Sequence, residues 1–269
     1  MRLDVDGRSV YAYTGSREID AAQPTIVFVH GAANDHGVFA LQSRYFAWHG
    51  WNALALDLPG HGCSEGPALA SVAAIADWIV AFLDAARAKN TVLVGHSLGS
   101  LAVLECAARH ADRVTKIALL APAVPMTVAD DLLAAAARDD HVAFELINGW
   151  SFGPAAQLGG NRVPGLWMLG NSMRLMERTA PGVLAIDLEA CHRYADGLTA
   201  AAAVRCDGLV VTGERDVMAP PRNARALIDA LGRVETLTLA GSGHALMIEQ
   251  PDRVLDALVR FAGPARAAA

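Results

Sequence analysis

The segment Gly95-His96-Ser97-Leu98-Gly99 directly follows the apolar run Thr91-Val92-Leu93-Val94 and opens a helical stretch from Leu101 to Arg109. A buried strand that reverses into a helix over so short a span needs a sharp, strained turn. Glycine two positions either side of the serine lets strand and helix approach without a Cβ in the way. The serine at the apex is then raised above the end of a sheet, its hydroxyl free of both elements. Such a unit calls for a fold in which strands and helices alternate.

The rest of the chain supplies that alternation. Candidate strands run at Thr25–Val29, Asn52–Leu56, Thr91–Val94, Val114–Leu120, Leu209–Thr212 and Val234–Leu239. Most are continuous apolar runs, as parallel strands covered on both faces require. Helical stretches fall between them at Gly37–His49, Val72–Ala88, Leu98–Arg109, Pro221–Leu231 and Pro251–Phe261. Ahead of these, Arg2–Asp6 and Ser9–Tyr13 flank Gly7 and read as a hairpin, with Asp6-Gly7 as its turn. The fold class expected is α/β, a doubly wound and mostly parallel sheet of about eight strands with an N-terminal hairpin.

Composition narrows the partners. With 269 residues, 53% hydrophobic and 19% charged, the chain can bury a large core as one domain or as a domain with an insertion. A net charge of −6 argues against nucleic acid or an anionic membrane as its main partner. Acids in Met1-Arg2-Leu3-Asp4-Val5-Asp6 stand where a signal peptide needs an apolar core. Apolar stretches such as Ile117 to Val128 are too short and too proline-broken to span a bilayer. Cys63, Cys106, Cys191 and Cys206 form no C-x-x-C pair and suit a reducing compartment. The expectation is a soluble cytoplasmic protein that needs no cofactor and no metal. A homodimer is compatible with the sequence but not demanded by it.

A serine hydroxyl at its free pKa is a poor nucleophile, so a base must take its proton. Leu209-Val210-Val211-Thr212-Gly213-Glu214-Arg215-Asp216 reads as a buried strand ending in a turn that carries a carboxylate. After the strand Val234–Leu239, Ala240-Gly241-Ser242-Gly243-His244 presents an imidazole. Ser97, Asp216 and His244 thus follow one of the known chain orders of a nucleophile–acid–base triad. Strand alternation turns His96 away from the Ser97 hydroxyl, which leaves it a structural part. Asp57 braces its own turn, and Asn34, Asp35 and His36 either reach a pocket mouth or cap the next helix.

With these residues in place, the chain resembles the α/β-hydrolase fold superfamily. The matching segments are His30-Gly31, Asp57-Leu58-Pro59-Gly60-His61-Gly62-Cys63-Ser64, the elbow around Ser97, and Gly243-His244. The resemblance implies that His30 braces its loop and that the residue after His-Gly, Ala32, offers a backbone N–H to an oxyanion. Leu98, at the helix start, offers the other. Some members carry the acid after the strand that follows the nucleophile helix. Here Leu120 to Met126 holds no carboxylate, so Asp216 is favoured, with Glu214 two residues early and Asp207 at the wrong end of its strand.

Residues 124–205 break the alternation with helical stretches at Ala129–Arg138, Val142–Gly149, Met173–Arg178 and Leu184–Leu198, and no convincing strand. The resemblance places a helical cap there, inserted into a core formed by 1–123 and 206–269. Its apolar side chains, Met126, Trp150, Phe152, Trp167, Met168, Met173 and Met176, join Met218 as candidate walls of a substrate pocket. Arg162 and Arg174 are the cations that could answer an anionic group. The function implied is a serine esterase or lactonase acting on a small to medium, mostly uncharged substrate. Carbon–carbon bond hydrolases and cofactor-free perhydrolases share such a triad and are the alternatives, with a non-enzymatic ligand receptor behind them.

Overall fold

The computed structural model describes residues 1–160 and 165–265. Among them, β1 (Arg2–Val5) and β2 (Arg8–Tyr13) form the hairpin. They are followed by β3 (Thr25–Val29), β4 (Asn52–Leu56), β5 (Thr91–His96), β6 (Val114–Leu120), β7 (Asp207–Gly213) and β8 (Val234–Leu239). The eight strands make one sheet in the order β1-β2-β4-β3-β5-β6-β7-β8, antiparallel over the first two pairings and parallel across the rest.

Alternate residues of the parallel strands face opposite layers. Val27, Val29, Leu93, Ile117, Leu119 and Val210 join one core with helices α2 (Val72–Ala85) and α3 (Leu98–Arg109). Ile26, Phe28, Val92, Val94, Leu120 and Val211 join the other with α1 (Ala40–Trp48) and the last helix of the chain. Burial on both faces is why these strands read as unbroken apolar runs.

Among the described residues, six further helices separate β6 from β7: α4 (Asp130–Ala137), α5 (Val142–Ser151), α6 (Pro154–Gln157), α7 (Met168–Met176), α8 (Val183–Arg193) and α9 (Gly197–Ala203). Then come α10 (Arg225–Ala230), α11 (Leu246–Glu249) and α12 (Pro251–Ala262). The single helix expected over Leu184–Leu198 is two, broken at Tyr194, whose hydroxyl donates to Glu105 Oε2 of α3 at 2.6 Å. That buried bond ties the chain to α3 just ahead of Asp196-Gly197, a turn-favouring pair, and α9 then packs in the core with Ala200 and Ala201. Helix α7 starts at Met168, earlier than the Met173 expected. The stretches beginning at Gly37 and Pro221 each open with a 3-10 turn before becoming α-helical. Arg162 and most of the tail Ala265–Ala269 lie outside the described residues. No helix among the described residues is long and apolar enough to cross a membrane.

The strand order reverses at β3 and β5, whose parallel register pairs Val29 with Gly95. Loops leaving the carboxyl ends of two strands that diverge in this way open a crevice between them. Gly31-Ala32-Ala33 therefore sits beside Ser97.

Candidate active site

Ser97 adopts φ 51° and ψ −119°, a conformation that a non-glycine residue holds only under constraint. The constraint is visible. The Ser97 N–H donates to the Leu120 carbonyl of β6 at 3.0 Å, and its own carbonyl accepts from the Ser100 hydroxyl at 2.6 Å and the Ser100 N–H at 2.8 Å. A Cβ on Gly95 would overlap the Gly99 carbonyl, and one on Gly99 would overlap the carbonyls of Val29 and His30. The two glycines are what let α3 leave β5 so tightly.

His244 Nδ1–H donates to Asp216 Oδ2 at 2.8 Å, and both groups are buried. The other oxygen, Oδ1, accepts the N–H groups of Met218 and Ala219, each at 2.8 Å. Burial works to raise the Asp216 pKa, but the His244 ring and the two amides outweigh it and hold the carboxyl below its ordinary range. An ionised carboxylate so held fixes the tautomer that leaves His244 Nε2 free to accept a proton. The loop carrying the ring is pinned from outside: the N–H groups of His244 and Ala245 both donate to the Ser151 carbonyl, at 2.8 and 2.9 Å. Glu249 accepts from the N–H groups of Gly153 and Gly243, both at 2.8 Å.

Three other histidines, His30, His36 and His61, brace the surrounding loops. His30 Nδ1–H donates to the Gly31 carbonyl at 2.8 Å while Nε2 accepts the Leu58 N–H at 3.1 Å. Burial, with His61 nearby, pushes this ring down to about 4, so it is neutral with one defined tautomer. His61 presents both ring nitrogens to acceptors, the Pro59 carbonyl at 3.0 Å and Asp187 Oδ2 at 2.9 Å. Burial opposes its charge, but Asp187 prevails and raises its pKa. Asp57 accepts from the Cys63 N–H and from both the N–H and Nδ1 of His36, each at 2.8 Å. Asp35 caps the turn His36–Phe39 by accepting from Gly37 N–H at 2.7 Å. These contacts account for the Asp35, His36 and Asp57 side chains, which also lie close enough together to be weighed as metal ligands.

His30 has a further consequence. The Gly31 carbonyl it holds, which also accepts the Asn34 N–H at 3.3 Å, belongs to the peptide whose N–H is that of Ala32. Fixing the oxygen end of a planar peptide aims its N–H the opposite way. Neither the Ala32 nor the Leu98 N–H has a protein acceptor among the described residues. Ala32, Ser97 and His244 line one cavity of about 410 Å³.

A family model described as the alpha/beta hydrolase family matches residues 26–257. The chain belongs to that family. This alpha/beta hydrolase is 30% identical over 246 residues to a pimeloyl-[acyl-carrier protein] methyl ester esterase of Xanthomonas axonopodis pv. citri, covering 88% of this chain and 94% of the relative. Among solved structures, an enol-lactonase from Burkholderia xenovorans superposes with a TM-score of 0.85 at 24% identity, over 97% of this chain and 99% of the other. An esterase from Exiguobacterium antarcticum gives 0.83 at 18%, over 97% and 98%. At those identities the likeness in structure speaks to the fold.

The hydrolase cavity corrects several expectations drawn from composition alone. Met126, Trp150 and Met218 line it. Phe152 and Met168 do not: they pack with Ala245 in a small cluster of their own. Trp167 precedes α7 with its ring over Gly170 and is 72% exposed. Met173 turns into the cluster formed by Leu132, Leu184 and Leu188, while Ser172 and Met176, one turn apart on α7, take the cavity-facing positions. His96 is among the residues that line the cavity, and its ring stands 4.8 Å from that of His244. Arg174 pairs with Glu177 on the exposed side of α7, and Glu214 accepts the Gly241 N–H at the surface.

Proposed function

We propose that this protein is a serine hydrolase cleaving a small to medium, mostly uncharged carboxylic ester or lactone through an acyl-enzyme on Ser97. The observation that carries the reading is the joint opening of Ser97, His244 and the Ala32 loop onto one cavity. In the first half-reaction, the Ser97 oxygen attacks the substrate carbonyl carbon as His244 Nε2 takes its proton. The oxyanion is met by the Ala32 and Leu98 N–H groups, the latter at the positive end of α3. Collapse of the intermediate breaks the carbonyl–alkoxide bond, and His244 returns the proton to the leaving oxygen. Water then attacks the acyl group by the same proton path and releases the acid and free Ser97.

The cavity walls support the substrate class. Met126, Leu132, Ile147, Trp150, Met176 and Met218 are apolar, and no Asp, Glu, Lys or Arg among the described residues lines it. The relative from Xanthomonas, a methyl ester esterase by name, supports an ester as the kind of bond cleaved. Helices α4, α5, α7 and α8 supply much of this wall, which supports reading them as a lid over the core.

The test is turnover of p-nitrophenyl acetate and butyrate by the wild type and Ser97→Ala, with fluorophosphonate labelling of both. Hydrolysis and labelling that vanish together in Ser97→Ala are expected. A wild type that turns over no faster than that variant overturns the proposal.

A further inference from the structure

The loop that follows β3 is held from the far side by the inserted helices. Ala33 has φ 51° and is fully buried, its methyl packed in the cluster of Leu132, Met176, Leu184 and Leu188. Its N–H donates to Asp187 Oδ2 of α8 at 2.9 Å, and its carbonyl accepts from the Thr179 hydroxyl at 3.2 Å. The preceding carbonyl, that of Ala32, accepts from Asn34 Nδ2 at 2.9 Å. The peptide between Ala32 and Ala33 is thereby held at both of its polar atoms. A non-glycine residue in the left-handed region is unfavourable on its own and persists where its surroundings over-determine it.

Asp187 does more than meet one amide. The same oxygen accepts from His61 Nε2, and the His61 ring lies 4.9 Å from that of His30, which holds the Gly31 carbonyl. Two routes, one through Ala33 and one through His61 and His30, run from this one carboxylate to the peptides that flank Ala32. Asp187 is 1% exposed, so it is placed against the loop and not against solvent. On the same helix, Leu188 and Cys191 line the cavity.

We infer that Asp187 is a positioning residue that sets the orientation of the Ala32 N–H, so that helix α8 builds both the substrate wall and the oxyanion loop. The inference rests on the hydrolase reading above. It makes the inserted segment part of the reaction geometry and not only a cover: whatever shifts α8 also shifts the donor. A substrate that seats well against Leu188 and Cys191 holds the clamp in place, which links acyl fit to rate.

The test compares the full-length wild type, Asp187→Leu, which fills the space without an acceptor, and Thr179→Val, which removes only the hydroxyl. Ser97→Ala is the inactive control. Amide hydrogen exchange in a peptide spanning residues 30–36 should speed up in both variants while exchange across β5 and β6 stays unchanged. For a p-nitrophenyl ester, kcat should fall about 10- to 100-fold in Asp187→Leu, less than removal of a whole oxyanion donor, with KM within about threefold. Thr179→Val should lose about three- to tenfold in kcat in the same pattern. Should Asp187→Leu match the wild type in kcat while both exceed Ser97→Ala, the inference falls and the hydrolase reading stands. A wild type no faster than Ser97→Ala removes both. Equal losses in KM and kcat, or faster exchange throughout the sheet, mark Asp187 as merely structural and overturn the inference.

Discussion

His96 Nε2–H donates to the carbonyl of His244 at 3.0 Å. The neighbour of Ser97 therefore ties the elbow directly to the loop that carries His244. Its other nitrogen, Nδ1, is buried without a partner, and burial pushes the ring down to about 3, so it stays neutral and keeps one proton for that bond. Replacing His96 by Phe preserves the ring and removes the donor. Loss of a neutral hydrogen bond of about 1 kcal/mol predicts a drop in kcat of up to about tenfold with KM nearly unchanged. Steady-state kinetics on one ester would check this, and an unaltered kcat would mean that the bonds to Ser151, Glu249 and Asp216 hold the loop without His96.

Asp216→Asn separates orientation from folding. The amide oxygen can still accept the Met218 and Ala219 N–H groups that Oδ1 accepts now. Its NH₂ would face the His244 ring and favour the wrong tautomer. In a protease triad that change lowers kcat by about 10⁴, and a loss of that order is expected here with circular dichroism unchanged. A variant retaining more than a tenth of wild-type kcat would assign the orienting role to a different carboxylate.

The elbow was legible because it is local: Gly95 and Gly99 flank Ser97, and their lack of a Cβ decides the turn. The chain order of Ser97, Asp216 and His244 was legible because each follows a recognisable strand. Asp187 and Thr179 were not. They act on Ala33 from about 150 positions away, and no local pattern says where a helix of the insertion lands. The same gap explains the wall residues. Phe152 and Trp167 have the chemistry of a pocket, but one is buried behind the His244 loop and the other faces outward. Composition identified the kind of wall, and only packing chose its members.

Acid should weaken the fold through two of its bracing histidines. Burial lowers His30 to about 4 and His96 to about 3, against an ordinary value of 6.5. Between those values the unfolded chain binds protons that the native rings refuse, so stability rises with pH across the window. It is fully present above 6.5 and is lost as pH falls toward 4 and then 3. The slope is at most about 1.4 kcal/mol per pH unit for each ring. His36 and His61, whose pKa values are raised, act on the other side: their contribution is complete below 6.5 and fades as pH climbs through their native values. Urea unfolding at pH 4.5, 5.5 and 6.5 would measure the slope, and His30→Gln should make it shallower. Parallel curves for variant and wild type would contradict the assignment.

Trp150 and Ile147 sit on the same helix, α5, and both line the cavity. Helix α5 ends at Ser151, whose carbonyl holds the His244 loop, so its register against the core is fixed and a shortened side chain leaves space that the helix cannot close by sliding. Trp150→Ala should therefore enlarge the cavity and leave Ser97, Asp216 and His244 in place. Longer p-nitrophenyl esters should gain relative to acetate, since each additional buried methylene is worth about 0.8 kcal/mol, roughly fourfold in kcat/KM. The acetate rate itself should change little, because so short an acyl group fills none of the new space. A uniform loss across all chain lengths would show instead that Trp150 supports the His244 loop, and an unchanged preference would remove α5 from the acyl pocket.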